Sequence, residues 1–173
     1  MTTELIPGLA GVPAAASKIA DINGNEGKLY YRGYLIEDLA EHTTFEETSY
    51  LLLYGELPTA AQLAAFDAKL RQHRRIKYKI IDVLKAMPEG GHPMEALQAA
   101  VAAMGMFYPA RDVMDPKVQE ESVIRLIAKV PTIIAAFHRV RHGDEAIQPR
   151  DDLAHAANFL YMLTGAEPDP VMT

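Results

Sequence analysis

Apolar residues recur three and four positions apart along most of the chain, which is the spacing of amphipathic α-helices. Two pairs of polar residues mark helix starts, because a Thr followed three residues later by Glu or Gln forms a capping box. These pairs are Thr44 with Glu47 and Thr59 with Gln62. Gly55 follows the first of these helices, at a position where glycine commonly ends a helix. The pattern therefore predicts a helical protein.

Three further helices are indicated in the second half of the chain. Pro93 begins an alanine-rich helix, on which one face is predicted to carry Leu97, Val101 and Met104. The pair Asp115-Pro116 begins a long helix that runs towards His142. Positions 123–137 of that helix are apolar on most faces, so we expect burial on more than one side. A last helix is predicted over 151–163 and ends at Gly165.

One segment near the start of the chain indicates β-structure. Residues 17–22 and 28–31 flank the turn-rich residues 23–27, which is the length and composition of a hairpin loop. We therefore predict an all-α fold with a small N-terminal β-hairpin, and see no linker that divides residues 1–173.

Composition and charge narrow the functional classes. The chain has 173 residues, of which 49% are hydrophobic and 23% charged, as in globular proteins. Its net charge of −6 disfavours nucleic acid and anionic membranes as partners. There is no cysteine, which excludes disulfides, thiol catalysis and thiolate metal sites. No secretory signal and no run of ~20 apolar residues is present, so we expect a cytoplasmic protein.

A basic segment over 71–79 is the first candidate for chemistry. Its cations are Arg71, Arg74, Arg75, Lys77 and Lys79. Such a cluster can bind a phosphate-bearing ligand, since guanidinium groups match phosphate geometry. Alternatively, the cations complement the negative end of a helix dipole.

The histidines give no complete site. His138 and His142 are four residues apart, so both rings can face one metal ion with Asp144 as a third ligand. The alternative is a favourable interaction of these imidazoles with the helix C-terminus. His92, before Pro93, is interpreted as a helix N-cap or loop contact. We therefore assign no catalytic, cofactor-binding or metal-binding residue.

Several segments, in order, resemble the N-terminal part of bacterial citrate synthases, and the stretch at 73–77 is most similar to the cyanobacterial branch. The segments are residues 8–12, 27–34, 36–40, 45–47, 50–59, 93–94, 125–131 and 156–163. The resemblance implies an acyltransferase that condenses acetyl-CoA with oxaloacetate to citrate and CoA in the tricarboxylic acid cycle. It implies no metal and no covalently bound cofactor.

The resemblance also implies which part of that enzyme the chain represents. Residues 1–173 correspond to the first part of the large helical domain, without the small domain. The family's catalytic motifs lie beyond the position of Thr173, so the chain alone is expected to be inactive. Residues 167–170 then look like a connection between helices.

The partner implied by the resemblance is a second copy of the chain. Helices near 94–107 and 117–142 are expected to form a homodimer or higher oligomer, and Met104→Glu or Ile134→Glu to disrupt it. Two alternatives stay open at this stage. One is a non-catalytic helical dimerisation module, and the other is a part of a 2-methylcitrate synthase.

Overall fold

The computed structural model describes Gly8, Gly11 and residues 15–109 and 112–169. The chain divides into two compact units, Met1–Pro58 and Thr59–Thr173. Each unit is built from its own local elements, and the two are treated separately below.

The first unit contains a three-stranded antiparallel sheet followed by two helices. Its elements are β1 (Ala20–Asn23), β2 (Lys28–Tyr31), β3 (Tyr34–Leu35), α1 (Ile36–His42) and α2 (Phe45–Tyr54). The strand order is β1-β2-β3. The predicted hairpin is confirmed, although β1 begins at Ala20 rather than at residue 17. The third strand was not predicted, because two residues give little periodicity.

Helix α2 begins and ends where the sequence predicts. The Thr44 hydroxyl accepts a hydrogen bond from the Glu47 amide at 3.2 Å, and the Glu47 carboxylate accepts one from the Thr44 amide at 2.7 Å. Gly55 adopts a φ of 95°, in the left-handed region that favours glycine. The Arg32 guanidinium donates to the Leu52 carbonyl at 2.7 Å, so it satisfies one of the last acceptors of the helix.

The second unit is a cluster of helices around one long helix. Its elements are α3 (Ala60–His73), α4 (Tyr78–Lys85), α5 (Pro93–Phe107), α6 (Pro116–Arg141) and α7 (His155–Thr164). Helix α6 packs against α3, α4, α5 and α7. Its buried residues therefore lie on several sides, which confirms the prediction for 123–137. The Asp115 carboxylate caps its first turn by accepting from the Lys117 amide at 2.9 Å.

The core of this unit lies where α4, α5 and α6 meet. It consists of Ile80, Leu84, Ala96, Ala100, Met104, Ile133, Ala136 and Phe137. The buried stripe of α5 differs from the predicted one, because Leu97 and Val101 are only half-buried. The small alanine side chains allow α5 and α6 to approach closely, and this leaves the larger residues at the edge of the contact.

Helix α7 begins later than predicted. It starts at His155 rather than at residue 151, and it ends at Gly165, which has a φ of 77°. Its buried residues are His155, Ala157, Asn158 and Met162, whereas Ala156 is exposed. The predicted connection at 167–169 contains no helix or strand, and Pro170 lies outside the described residues. No helix within the described part of the chain is both long and apolar enough to cross a membrane.

Candidate functional site

The middle of the basic segment lies at the break between α3 and α4, and it binds a distant loop of the second unit. Arg74 is 1% exposed, and its Nη1 donates to the carbonyls of Arg150 and Leu153 at 3.0 and 2.7 Å. These contacts hold residues 150–153 in a non-helical conformation. Helix α7 starts only after these residues. The sequence pattern does not predict this start, because Arg74 lies 76 and 79 positions from the two carbonyls that it binds.

The main-chain carbonyls of this segment are bound in turn by α6. The Lys129 ammonium donates to the carbonyls of His73 and Arg75, at 2.6 and 2.5 Å, respectively. The Thr132 hydroxyl donates to the carbonyl of Arg74 at 2.8 Å. A break between two helices exposes carbonyl groups that need donors. Lys129 and Thr132 supply them, and we call this arrangement the helix-break clamp.

Of the other cations of the segment, Arg71 is half-buried and the rest are exposed. Arg71 forms an ion pair with Asp67 at 2.6 Å, and Arg75 forms one with Asp151 at 3.0 Å. Lys77 and Lys79 are exposed. Neither interpretation from the sequence describes Arg74, whose role is to hold a distant loop. Phosphate binding at the exposed cations stays a prediction.

Lys129 is a buried cation without a carboxylate partner among the described residues. It is 3% exposed, and its ammonium is bound by two main-chain carbonyls and lies 5.1 Å from the centre of the Tyr108 ring. Burial, together with repulsion from Arg125 and Lys77, lowers the pKa of Lys129 to about 8. Partial burial of the His73 imidazole, together with repulsion from Lys129, lowers the pKa of His73. A buried lysine without a carboxylate partner is unusual, and no local sequence pattern predicts it.

The two histidines near the end of α6 contact each other with their rings tilted by 49°. The rings of His138 and His142 are 4.7 Å apart, and His142 Nδ1 lies 2.6 Å from the His138 carbonyl oxygen. Asp144 forms an ion pair with Arg139 at 3.3 Å. In the described part of the chain, no three His, Asp or Glu residues gather as a metal site would require. The contacts therefore favour the helix-end interpretation.

The remaining candidates have structural roles. His92 is the N-cap of α5, and its Nδ1 accepts a hydrogen bond from the Met94 amide at 3.2 Å, as one of the two interpretations expected. Arg150 binds Asp152 and Glu167, which raises the pKa of Arg150 and lowers that of Asp152. Such surface pairs are ordinary contributors to local order.

One surface of the second unit is apolar across two helices. Leu126 and Ile134 on α6 are 41% and 39% exposed, and the half-buried Leu97 and Val101 of α5 lie beside them. We call these four residues the helix-pair face. Contiguous exposed apolar surface on a soluble protein commonly marks a protein–protein contact.

Met104 does not belong to this face, contrary to the sequence-based expectation. It is 5% exposed and lies in the core with Ile133 and Ala136. A carboxylate at this position would disrupt the fold itself, because it would be buried without a partner. Ile134 is therefore the residue that tests the surface.

Comparisons with known proteins show similarity to citrate synthases. The family model described as "Citrate synthase, C-terminal domain" matches residues 8–173. The citrate synthase of Synechocystis sp. is 54% identical over 163 residues, which are 94% of this chain and 41% of that protein. The citrate synthase of Acidithiobacillus ferridurans is 50% identical over 172 residues, covering 96% of this chain and 45% of that protein.

A solved structure gives the same result. The crystal structure of citrate synthase from Pyrobaculum aerophilum superposes with a TM-score of 0.89 at 41% identity, over 96% of this chain and 44% of that one. The chain thus spans less than half the length of these relatives. Because the family model covers nearly the whole chain, the chain belongs to the citrate synthase family.

Proposed function

We propose that this chain is part of a citrate synthase, which condenses acetyl-CoA with oxaloacetate to give citrate and CoA in the tricarboxylic acid cycle. The observation that carries the proposal is the 54% identity to a citrate synthase over 94% of the chain. The superposition at a TM-score of 0.89 supports a common fold over the same region.

We propose further that residues 1–173 form the first part of the large helical domain of that enzyme. The catalytic groups then lie in sequence that follows Thr173, so the 173-residue chain alone has no turnover.

The test compares the 173-residue chain with the product of the complete natural reading frame. Release of CoA is measured with oxaloacetate and either acetyl-CoA or propionyl-CoA. We expect turnover only for the complete product, with acetyl-CoA preferred. Preference for propionyl-CoA would identify a 2-methylcitrate synthase instead. A chelator such as EDTA is expected to leave the rate unchanged, because the proposed chemistry uses no metal.

The partner that we propose is a second copy, bound through α5 and α6. The helix-pair face supports this, because a two-fold contact between identical apolar faces buries all four residues on each side. We place the assembly in the cytoplasm, and fractionation of the source cells tests that location.

The interface is tested by Ile134→Glu. A carboxylate in the middle of an apolar contact would be desolvated without a partner, so we expect the oligomer to dissociate. Val83→Glu on α4 is the matched control, since Val83 is 37% exposed and Ile134 is 39% exposed. Light scattering gives the mass of each variant. Equal masses for wild type, I134E and V83E would contradict the proposed interface.

A non-catalytic dimerisation module is the second candidate, and the helix-pair face is the observation that favours it. This function requires a natural polypeptide of 19.1 kDa that dimerises without turnover. Intact-mass measurement of the protein from its source separates the two candidates, because an enzyme subunit would be heavier.

A further inference from the structure

Asn23 ends β1 and is followed directly by Gly24, the first residue of the turn that leads into β2. The chain has three asparagines, the others being Asn25 and Asn158, and only Asn23 precedes a glycine. Asparagine is chemically labile, because the main-chain nitrogen of the next residue can attack the side-chain amide carbon. The reactivity of each asparagine therefore depends on how accessible that nitrogen is.

Gly24 leaves its nitrogen open to the Asn23 side chain. Gly24 is exposed, and no atom of the described residues lies within 4 Å of the position that a Cβ would take there. Glycine carries no side chain that would crowd its own nitrogen. Asn25, in the same turn, is instead followed by Glu26, which does carry one. Access to the attacking nitrogen therefore favours reaction at Asn23 over reaction at Asn25.

The turn also places a donor where charge develops in this reaction. The Glu26 amide donates to Asn23 Oδ1 at 3.3 Å. When the Gly24 nitrogen attacks Asn23 Cγ, negative charge develops on Oδ1, and an N–H group directed at that oxygen stabilises the transition state. The pairing of Asn23 with Lys28 fixes the register of the turn that supplies this donor.

The third asparagine lacks an accessible nitrogen beside it. Asn158 is 3% exposed within α7, and its Oδ1 accepts from the Arg150 amide at 2.8 Å. The next residue, Phe159, also lies inside α7, where main-chain nitrogens donate to carbonyls one turn earlier. Reaction at Asn158 would therefore require local unfolding of the helix.

We propose that Asn23 is a modification site at which the side-chain amide is lost spontaneously. The Gly24 nitrogen gives up its proton and forms a bond to Asn23 Cγ, while Nδ2 takes up a proton and leaves as ammonia. The product is a succinimide ring. Water then opens the ring at the Cγ carbonyl to give aspartate, or at the main-chain carbonyl of residue 23 to give isoaspartate. The reaction consumes only water.

Either product changes the end of the hairpin. A carboxylate replaces the amide opposite Lys28, which already forms an ion pair with Glu26 at 3.0 Å. Isoaspartate also adds a carbon atom to the main chain, so the terminal pair of Asn23 with Lys28 is displaced. The modification is independent of the proposed enzyme function, because it uses only residues of the hairpin and water.

The test incubates the product of the complete natural reading frame in buffer made with H₂¹⁸O, since each conversion takes one oxygen atom from water. Cleavage in ordinary water after Lys18 and Lys28 gives one peptide that carries both Asn23 and Asn25, so mass spectrometry compares them in one sample. We expect label at residue 23 to form about tenfold faster or more, a barrier difference of about 1.4 kcal/mol. Equal rates at the two residues, or no label at residue 23, would overturn the proposal.

Gly24→Ala tests the access argument. Gly24 has no positive φ and has space for a Cβ, so alanine fits without strain. We expect the labelling rate at residue 23 to fall by about tenfold or more, a rise of about 1.4 kcal/mol in the barrier. Gly90→Ala is the matched control, because Gly90 is also exposed, has no positive φ and has the same open space. An unchanged rate in folded G24A would refute the assignment.

Glu26→Gly gives the converse test and decides if G24A does not fold. It removes the side chain that follows Asn25 and keeps the Glu26 main-chain donor to Asn23 Oδ1. We expect labelling at Asn25 to rise by about tenfold or more, a fall of about 1.4 kcal/mol in its barrier. If labelling at Asn25 does not rise, access to the following nitrogen does not control the reaction, and the proposal fails.

Discussion

The helix-break clamp predicts how much stability the protein loses when Thr132 is replaced by valine. This residue is 3% exposed, and its hydroxyl donates to the Arg74 carbonyl at 2.8 Å. Thr132→Val keeps the shape of the side chain and removes only the donor. A hydrogen bond contributes about 1 kcal/mol net, and a buried acceptor that loses its donor costs about 1–3 kcal/mol. We therefore expect the free energy of unfolding to fall by about 1–3 kcal/mol.

The matched control is Thr164→Val on α7. The Thr164 hydroxyl donates to the Leu160 carbonyl, also at 2.8 Å, but this residue is exposed, so water replaces the lost donor. We expect a loss of at most about 0.5 kcal/mol, as for surface substitutions in general. The donated bond has the same length in both residues, but Thr164 also accepts from the Ala166 amide at 3.2 Å, so the control removes one more exposed bond than T132V does.

Urea unfolding followed by far-UV circular dichroism measures both variants at one protein concentration, because association shifts apparent stability. With a slope of about 1–3 kcal/mol per molar urea, a loss of 2 kcal/mol moves the midpoint by about 1 M. If T132V and T164V unfold at the same urea concentration, the Thr132 bond does not stabilise the break between α3 and α4.

Three further predictions concern single positions. Because the pKa of Lys129 is lowered to about 8 from the ordinary value of 10.5, the unfolded state binds more protons between these values, and stability should rise with pH across that window. Urea midpoints of wild type and Lys129→Met measure this rise, which should be absent from the variant. Gly165→Ala should cost more than Gly143→Ala, since both have positive φ but only the Cβ at 165 would lie 3.2 Å from Ile147 Cδ1. Thermal unfolding compares the two, and equal losses would contradict the steric argument. Ala154→Ser should stabilise α7 by about 0.5–2 kcal/mol, because the present N-cap forms no side-chain bond, and unchanged unfolding would show that serine forms none either.

Local signals in the sequence predicted the parts of the fold that depend on neighbouring residues. Both capping boxes form, and Gly55 and Gly165 end their helices in the left-handed conformation. These features involve residues within four positions of each other, so a linear pattern contains them. The hairpin was predictable for the same reason.

The errors concern contacts between distant residues. The late start of α7 depends on Arg74, which is 79 positions from the carbonyl of Leu153 that it binds. The burial of Lys129 depends on carbonyls more than fifty positions away. A lysine or arginine is expected at the surface. Only the assembled helices show the carbonyl acceptors that offset the desolvation of the buried charge.

The alanines of α5 have a consequence outside the core. Ala96 and Ala100 are 4% and 0% exposed where α5 meets α6, so these methyl groups set how closely the two helix axes approach. A tightly packed contact does not adapt to a larger side chain without displacing a helix. Leu97 and Ile134 lie on the outer side of that same contact. The packing inside the core therefore sets the spacing of the exposed apolar residues, and Ala100→Val would widen the groove between Leu97 and Ile134 without changing a surface residue.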